Sequence, residues 1–278
     1  MKTVLRRHGV NVLVWLLLAT GALLMMIPLF WMIATALKEP AQAFQFPPTW
    51  IPRPLTLDAF RQVWKLVPFG RYLWNSLYIA ISVTALEIVT ASLAAFAFAR
   101  MRFRLREPLF LIYLASLMIP GQVTMIPNFI LMRKLGLYDT HLGIILPAAF
   151  TAFGTFLFRQ HFLTLPKEQD EEAKIDGASW FQINTRVALP LAGPVVATQA
   201  IMGFMGSWNS YLWPMIMISS EEKRTVTLAV RSFASSYGTH WTQLMAATFM
   251  ALVPILIVFF LLQKHFVKGI ATTGMGGR

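Results

Sequence analysis

A short acidic segment in the middle of the chain carries the residues best suited to docking or chemistry. Five of the twelve acidic side chains lie between Glu168 and Asp176. On a helix, three carboxylates and one apolar side chain would share a face at positions i, i+3, i+4 and i+7: Glu168, Glu171, Glu172 and Ile175. Such a face can dock a partner protein, but the same spacing fits a solvated amphipathic helix. The spacing alone leaves both interpretations open.

The residues around this segment predict its boundaries. Pro166 pre-sets a helical φ and Gly177 provides a C-terminal stop, so we expect one short helix from about Pro166 to Asp176. Ser179 and Gln182 have the spacing of a capping box and predict a second helix. The pattern is therefore helix, glycine turn, helix.

Motifs of enzymes and of metal sites are absent from the sequence. The five His residues are scattered and form no His-Glu-x-x-His pattern, and no glycine-rich phosphate loop ends in Gly-Lys-Ser/Thr. Cys is absent, which excludes thiolate metal sites and cysteine nucleophiles. We therefore expect no enzyme activity, no cofactor and no metal on this chain.

The elements that must position the acidic segment are membrane spans. Apolar residues make up 56% of the chain and charged residues 13%, about half the share usual in soluble domains. Six stretches are charge-free, apart from Glu87 in the second, and each is long enough for a transmembrane helix: 8–37, 72–99, 108–132, 140–158, 187–220 and 232–263. The predicted fold class is an all-α membrane protein with six transmembrane helices.

Basic residues predict the orientation of these spans. The first apolar run is about twice as long as the ~7–15 residues of a signal-peptide core, so we expect an uncleaved first span. With both termini in the cytoplasm, 14 of the 24 Lys and Arg lie on the cytoplasmic side, including the cluster Arg100–Arg106. The net charge of +12 then reflects topology and attraction to anionic membrane lipid, and no nucleic-acid partner is expected.

Three regions follow from this reading. Residues 1–70 comprise the first span and an outer loop, in which a proline-rich stretch (46–54) precedes a short amphipathic helix capped by Thr56 or Asp58. Residues 71–268 form the core of the remaining spans, with the acidic loop at 165–190. Residues 269–278 are glycine-rich and predict a flexible cytoplasmic tail.

Polar and helix-breaking residues inside spans mark a candidate translocation path. A charged Glu87 costs at least ~2.5 kcal/mol within a bilayer, so it should face the bundle interior or be protonated. In the interior it could pair with another residue or contact a solute. Pro120 and Pro127 interrupt the third span next to Asn128, which fits either a pore-lining bend or a simple kink.

The fifth span ends in a cluster of aromatic and polar residues: Trp208, Asn209, Tyr211 and Trp213. Aromatic rings with hydrogen-bonding tips suit a sugar, whose ring faces are apolar and whose hydroxyls need partners. Anchoring at the membrane interface is the competing interpretation, because Trp and Tyr concentrate there.

The stretch Glu171-Glu172-Ala173-x-x-Asp176-Gly177-Ala178, with Leu189-Pro190-Leu191 and Pro194 after it, resembles the EAA loop of permease subunits in binding-protein-dependent ABC importers. The Trp208–Pro214 stretch is similar to the Trp-Asn-x-x-Leu-Trp-Pro stretch of the carbohydrate-uptake branch, of maltose or glycerol-phosphate type. Glu172 departs from the pattern, which usually has Ala at that position.

This resemblance implies a partner set and a role for the loop. It implies a heterodimer with a second permease, two ATP-binding cassette subunits that carry ATP and Mg, and an extracytoplasmic solute-binding protein. The location would be a bacterial or archaeal inner membrane, crossed several times, and the solute a sugar, oligosaccharide, polyol or glycerol phosphate. Coupling to the ATPases would fall to six residues: Glu171, Glu172, Ala173, Asp176, Gly177 and Ala178.

Two other classes of function compete with this one. An ion-coupled secondary transporter or channel would use Glu87 as its proton or cation site, but would leave the acidic loop unexplained. A structural or assembly protein would have no need of the proline breaks in the third span.

Overall fold

A computed structural model describes the backbone of residues 2–235 and 238–273, and the side chains of residues 13–234 and 240–263. The chain is helical almost throughout these ranges. Its α-helices are α1 Lys2–Ala36, α2 Asp58–Leu66, α3 Phe69–Arg100, α4 Arg106–Ala115, α5 Gly121–Lys134, α6 His141–Ala148, α7 Ala152–Thr164, α8 Glu168–Ile175, α9 Trp180–Ile183, α10 Leu189–Leu191, α11 Gly193–Trp208, α12 Leu212–Met217, α13 Val226–Ser232 and α14 Trp241–Thr273.

Shorter elements join these helices. Three 3₁₀ turns lie at Pro40–Phe44, Ser116–Met118 and Glu221–Lys223, and a π-helical turn spans Asn184–Ala188. Two strands of two residues, β1 Ala234–Ser235 and β2 Gly238–Thr239, pair antiparallel. The chain divides into two compact units, one comprising residues 1–69 and 230–252 and the other residues 70–229 and 253–278.

The candidate spans support the prediction of six. Leu13–Ala36, Phe69–Arg100 and Trp241–Gln263 are single helices long and apolar enough to cross a membrane. Three bent helix pairs qualify as further spans if each pair is counted as one: Arg106–Met118 with Gly121–Lys134, His141–Ala148 with Ala152–Thr164, and Trp180–Leu191 with Gly193–Trp208.

In the first unit, the segment after α1 folds back along the end of that helix. The Lys38 ammonium donates to the Thr49 carbonyl oxygen at 2.5 Å and lies 4.5 Å from the Trp31 ring centroid. Trp50 packs edge-on against Trp31. The predicted outer loop therefore contains a 3₁₀ turn and defined contacts, although its proline-rich part is irregular as expected.

The predicted short amphipathic helix is α2, but its cap differs from the prediction. Leu57 occupies the N-cap, and the Thr56 hydroxyl accepts a hydrogen bond from the Asp58 amide at 3.1 Å without capping the first turn proper. α2 buries Ala59 and Val63. The Thr56 side chain thus closes a local turn one residue before the position that would cap the helix.

Of the two prolines in the third span, Pro120 lies at a break in the helix and Pro127 does not. The two halves bend by 100° between Met118 and Gly121, and Pro120 is the N-cap of α5. Pro127 lies inside α5, which continues through it. The fifth span is also discontinuous, with an 86° bend at Ala192 before the Gly193-Pro194 helix start, and its second half ends at Trp208.

Two apolar clusters organise the second unit. One gathers Phe96 of α3, Phe158 and Phe162 of α7 and Ile183 of α9 with small alanines of α3. The other joins Val83 of α3, Met132 of α5, Ile144 of α6 and Met217 of α12. α3 contributes to both clusters, so it is the element on which the other helices of this unit pack.

An ion pair fixes the start of α4 against α7. The Arg159 guanidinium donates to both Glu107 carboxylate oxygens, at 2.8 and 2.9 Å, and lies 4.1 Å from the Phe110 ring centroid.

The predicted tail at 269–278 overlaps the end of α14, which is helical through Thr273, and residues 274–278 lie outside the described part of the chain.

Asp139 holds together the loops at the other end of this unit. Its carboxylate accepts hydrogen bonds from the Ser219 and Ser220 amides, the Ser220 hydroxyl and the Lys223 ammonium. These donors, led by the Ser220 hydroxyl and amide, hold the pKa of Asp139 well below its usual range. The ionised carboxylate is therefore a structural anchor for the 219–223 loop.

We expect Asp139→Asn to destabilise the purified protein by about 2 kcal/mol at neutral pH, because hydrogen bonds to a charged acceptor are lost. Asn tolerates the left-handed φ of +54° that Asp139 adopts, so the change removes the charge and one acceptor oxygen without straining the backbone. Because the folded pKa is depressed, the contribution is present above the ordinary pKa of 3.8 and fades as the pH falls below it. Melting curves should therefore differ at pH 7 and converge in acid; an equal difference at every pH would contradict this account.

Candidate functional site

The helix α8 presents one exposed face and one anchored face. Glu168, Glu171, Glu172 and Ile175 are all exposed, and Ile175 is 86% exposed despite being a large apolar side chain. On the opposite face, Asp170 is buried and Ala173 packs on the apolar cluster around Phe162. The predicted grouping of three carboxylates with one apolar residue is confirmed as an accessible surface, which is here called the α8 outer face.

The turn after α8 requires glycine. Gly177 has φ +82°, its amide donates to the Lys174 carbonyl oxygen at 2.9 Å, and the Ala178 amide donates to the Ala173 carbonyl oxygen at 2.9 Å. These two bonds form a Schellman motif, in which a left-handed residue satisfies the last carbonyl groups of a helix. Asp176 is the exposed C-cap residue, and Ala178 packs on the same apolar cluster as Ala173.

The second predicted helix begins as expected. The Ser179 hydroxyl accepts from the Gln182 amide and the Gln182 side chain accepts from the Ser179 amide, so both halves of the capping box are formed. The Lys174 ammonium lies 3.4 Å from the centroid of the Trp180 ring, which joins the two helices across the glycine turn. The loop is thus held as a unit from α8 to α9.

The departure from the family pattern at Glu172 is accommodated by exposure. Glu172 lies on the α8 outer face, where water solvates the added carboxylate, and its carbonyl oxygen still accepts the Asp176 amide at 3.1 Å. The packing of the turn is carried by Ala173 and Ala178. The substitution therefore adds charge to the accessible face without changing the turn.

The structure adds one residue pair to this site that sequence reasoning missed. Asp170 lies 3.3 Å from the Arg100 guanidinium at the end of α3, and the same guanidinium donates to the Leu165 carbonyl oxygen at 2.8 Å. Burial raises the pKa of Asp170, and the Arg100 charge opposes that shift. A signal was present, since Asp170 and Ala173 are spaced i, i+3 on the face opposite to Glu168 and Glu171.

Three of the eight candidate path residues line one cavity of about 570 Å³: Asn128, Tyr211 and Trp213. The Trp213 indole donates to the Gly143 carbonyl oxygen at 3.1 Å, which fixes its ring. Gln122, Thr124 and Ser210 add polar groups to the lining. Gln122 and Thr124 lie near Pro120 in the third span, and Ser210 lies in the Trp208–Pro214 stretch, but none of the three was predicted as a candidate path residue.

The other aromatic and proline candidates do not line this cavity. Trp208 is buried and stacks on Phe204 with ring centroids 5.5 Å apart, and Asn209 is exposed with its amide donating to the Met205 carbonyl oxygen. Pro127 is exposed within α5. Pro120 is the N-cap residue directly before Gly121, which does line the cavity.

Glu87 lies apart from the cavity, in a polar contact between α3 and α11. The Gln199 side-chain amide donates to the Glu87 carboxylate at 2.9 Å, and Gln199 is only 3% exposed. A Cβ added to Gly203 would lie 2.3 Å from the same carboxylate. The pairing within the bundle that the cost of a lone charge predicts is therefore formed, with glycine leaving the space for it.

Residues 87–272 match the protein family described as the inner membrane component of binding-protein-dependent transport systems. The chain belongs to this family. Its function is membrane transport rather than an enzymatic reaction, and it works in a system that includes a solute-binding protein. Among the described side chains, no group of three or more His, Asp or Glu is placed to hold a metal ion.

The names of several relatives of this permease refer to the transport of carbohydrates or of glycerol phosphate. The sn-glycerol-3-phosphate transport system permease protein UgpE of Yersinia enterocolitica is 35% identical over 272 residues, covering 95% of this chain and 97% of the relative. The lactose transport system permease protein LacG of Rhizobium radiobacter is 35% identical, covering 97% and 98%. The arabinooligosaccharides transport system permease protein AraQ of Halalkalibacterium halodurans is 34% identical, covering 98% and 100%.

Solved structures agree with this assignment. A chain of a bacterial ABC transporter involved in the import of the acidic polysaccharide alginate superposes with a TM-score of 0.82 at 25% identity, covering 92% of this permease and 96% of that chain. The alginate transporter in complex with its alginate pentasaccharide-bound periplasmic protein gives a TM-score of 0.64 at 14% identity, which supports the fold alone. The architecture of this permease is that of an ABC importer.

Proposed function

We propose that this permease forms half of the translocation pathway for a sugar, oligosaccharide or glycerol-phosphate-like solute, and that the α8 outer face couples it to an ATPase. A second permease would form the other half, and two ATP-binding cassette subunits would carry ATP and Mg on the cytoplasmic side. The location would be a bacterial or archaeal inner membrane, with both termini in the cytoplasm.

The observation that carries the coupling role is the two-sided construction of α8. Its inner face is tied to the membrane core by Asp170 with Arg100 and by Ala173, while Ile175 and three carboxylates remain accessible. Three carboxylates grouped on one accessible face give it a negative surface that can be complementary to a basic partner. Because the helix is anchored at its back, a displacement of the outer face by a partner would be transmitted to α3.

Purification of the complex from its native host tests this role, with the co-purifying ATPase subunits counted by mass spectrometry. Glu171→Lys and Ile175→Asp should each reduce the amount of ATPase recovered, because they alter the α8 outer face without touching the core. Glu39→Lys is a matched charge reversal at an exposed position far along the chain and should not. Full recovery of ATPase with both α8 variants would show that the docking face is elsewhere.

The solute class is supported by the cavity and by the relatives. Tyr211 and Trp213 offer aromatic surfaces beside Gln122, Thr124 and Asn128, a combination that fits a ring with hydroxyl groups. An ion-coupled mechanism at Glu87 is not favoured, since Gln199 already occupies the carboxylate and the relatives belong to binding-protein-dependent systems.

The proposed orientation can be measured directly because the sequence contains no Cys. A single Ser179→Cys should react with a membrane-impermeant maleimide only from the cytoplasmic side, and a single Gln45→Cys only from outside. Both positions are exposed, so access is limited by the membrane rather than by the fold. Labelling of both residues from the same side would exclude the proposed topology.

A further inference from the structure

A second pocket, of about 520 Å³, lies where the end of α3 meets the loop before α4 and one flank of α8. Five basic residues line it: Arg100, Arg102, Arg106, Lys167 and Lys174. The acidic lining residues are Asp170 and Glu171. The lining therefore carries an excess of three positive charges, which the coupling role of the α8 outer face does not use.

Part of this charge has no partner in the described chain. Arg100 is paired with Asp170, and Arg106 lies 3.0 Å from the Glu107 carboxylate. Among the described residues, no hydrogen bond or ion pair involves the side chain of Arg102 or of Lys167, and both residues are exposed. The Lys174 ammonium lies over the Trp180 ring rather than beside a carboxylate. Three cations are thus left to face an anion, a charge count that suits a phosphate group.

The surroundings of the pocket indicate where such an anion comes from. Between Arg102 and Arg106, the chain alternates basic residues with Phe103 and Leu105, which are large, apolar and exposed. This segment directly follows a helix long and apolar enough to span the membrane. Basic and apolar side chains together at the end of a span favour the headgroup region of a bilayer, where apolar groups enter the lipid and cations meet phosphates.

We propose that this pocket binds the phosphate group of an anionic phospholipid in the leaflet on the Arg100–Arg106 side. Arg102 and Lys167 contact the phosphate, Lys174 closes the pocket from α8, and Phe103 and Leu105 lie beside the acyl chains. The bound lipid would then touch the flank of α8 next to its outer face, because Glu171 belongs to that face and also lines the pocket. This site does not depend on the proposed coupling to an ATPase.

The test uses the full-length permease, purified with its partner subunits and placed in nanodiscs of phosphatidylcholine with or without phosphatidylglycerol. Native mass spectrometry measures retained phosphatidylglycerol. The double variant Arg102→Gln with Lys167→Gln should weaken retention by about fivefold for each cation removed. Arg104→Gln, an exposed arginine of the same segment that does not line the pocket, is the matched control and should retain the lipid. Arg102→Lys, which keeps the charge, should retain it as well.

Each remaining outcome has a defined meaning. Equal loss of lipid in Arg104→Gln would reveal diffuse attraction and overturn the proposed site, as would unchanged retention in the double variant. A parallel arm adds inorganic phosphate to neutral nanodiscs and follows the melting temperature. Stabilisation by free phosphate that the double variant abolishes, without selective lipid retention, would assign the pocket to a soluble anion and overturn the lipid. Loss of ATPase subunits from the double variant would assign the cations to subunit contact instead.

Discussion

Gly177→Val is expected to abolish solute uptake by the assembled transporter while its expression and membrane insertion stay near normal. Gly177 has φ +82°, a conformation that costs an ordinary L-residue roughly 1–2 kcal/mol and a β-branched residue more. No described atom lies within 4 Å of an added Cβ, so the valine meets no steric obstacle. The strain is therefore relieved by changing the turn, which shifts α8 relative to α9 and misplaces the α8 outer face.

The control for this prediction is Gly136→Val. Gly136 also has a positive φ, +71°, and no described atom lies within 4 Å of an added Cβ. It follows α5 rather than α8, so the same type of strain falls outside the coupling loop. Uptake of a radiolabelled solute in proteoliposomes, with ATP hydrolysis measured in parallel, should be lost only in Gly177→Val. Equal losses in both variants would trace the effect to general instability, and uptake at the wild-type level by Gly177→Val would remove the coupling role of this turn.

The acidic loop was predictable because its structure is set by neighbours in sequence. The helix stop at Gly177 and the capping box of Ser179 with Gln182 each involve residues no more than five apart, and both are confirmed. Asp170 with Arg100 was not predicted, since the two lie 70 residues apart and either charge could equally have been solvated. Local hydrogen bonding can be deduced from residue types, whereas a distant ion pair depends on how α3 and α8 meet.

In the membrane spans, too, local features could be predicted from the sequence and contacts between distant segments could not. Long apolar stretches with almost no charged residues located the six candidate spans, with each bent helix pair counted as one, because the length and composition of a span are local properties. This criterion did not distinguish Pro120, which begins a new helix after a sharp bend, from Pro127, which α5 accommodates. Nor could it show that Asn128, Tyr211 and Trp213 line the same cavity, whereas Trp208 stacks on Phe204. Those outcomes depend on packing between helices that are distant in sequence.

Gly203→Ala is expected to destabilise the second unit by about 1–3 kcal/mol, the cost of leaving a buried polar group unpaired. The added Cβ would lie 2.3 Å from a Glu87 carboxylate oxygen and 3.4 Å from the Thr84 hydroxyl. Glu87 can move, but only by leaving Gln199, its hydrogen-bond donor. Gln199 cannot follow it freely, because that residue is itself buried in the bundle, with 3% of its surface exposed. A carboxylate inside a span would then lose its partner.

A control variant on the same helix should change stability in the opposite direction from Gly203→Ala. Gly206 lies on the same helix, no described atom lies within 4 Å of an added Cβ, and Gly206→Ala should raise stability by up to about 1 kcal/mol through helix propensity. In a Glu87→Ala background the obstructing carboxylate is gone, so Gly203→Ala should behave like Gly206→Ala. Glu87→Gln keeps an acceptor for the Gln199 amide and should retain most transport. Melting temperatures of the purified complex, combined in a double-mutant cycle, measure the coupling between positions 87 and 203. If Gly203→Ala were equally destabilising with and without Glu87, steric contact with the carboxylate would not be the cause.

Complete loss of uptake by a normally folded Glu87→Gln protein would instead assign the ionised group of Glu87 a direct role in transport.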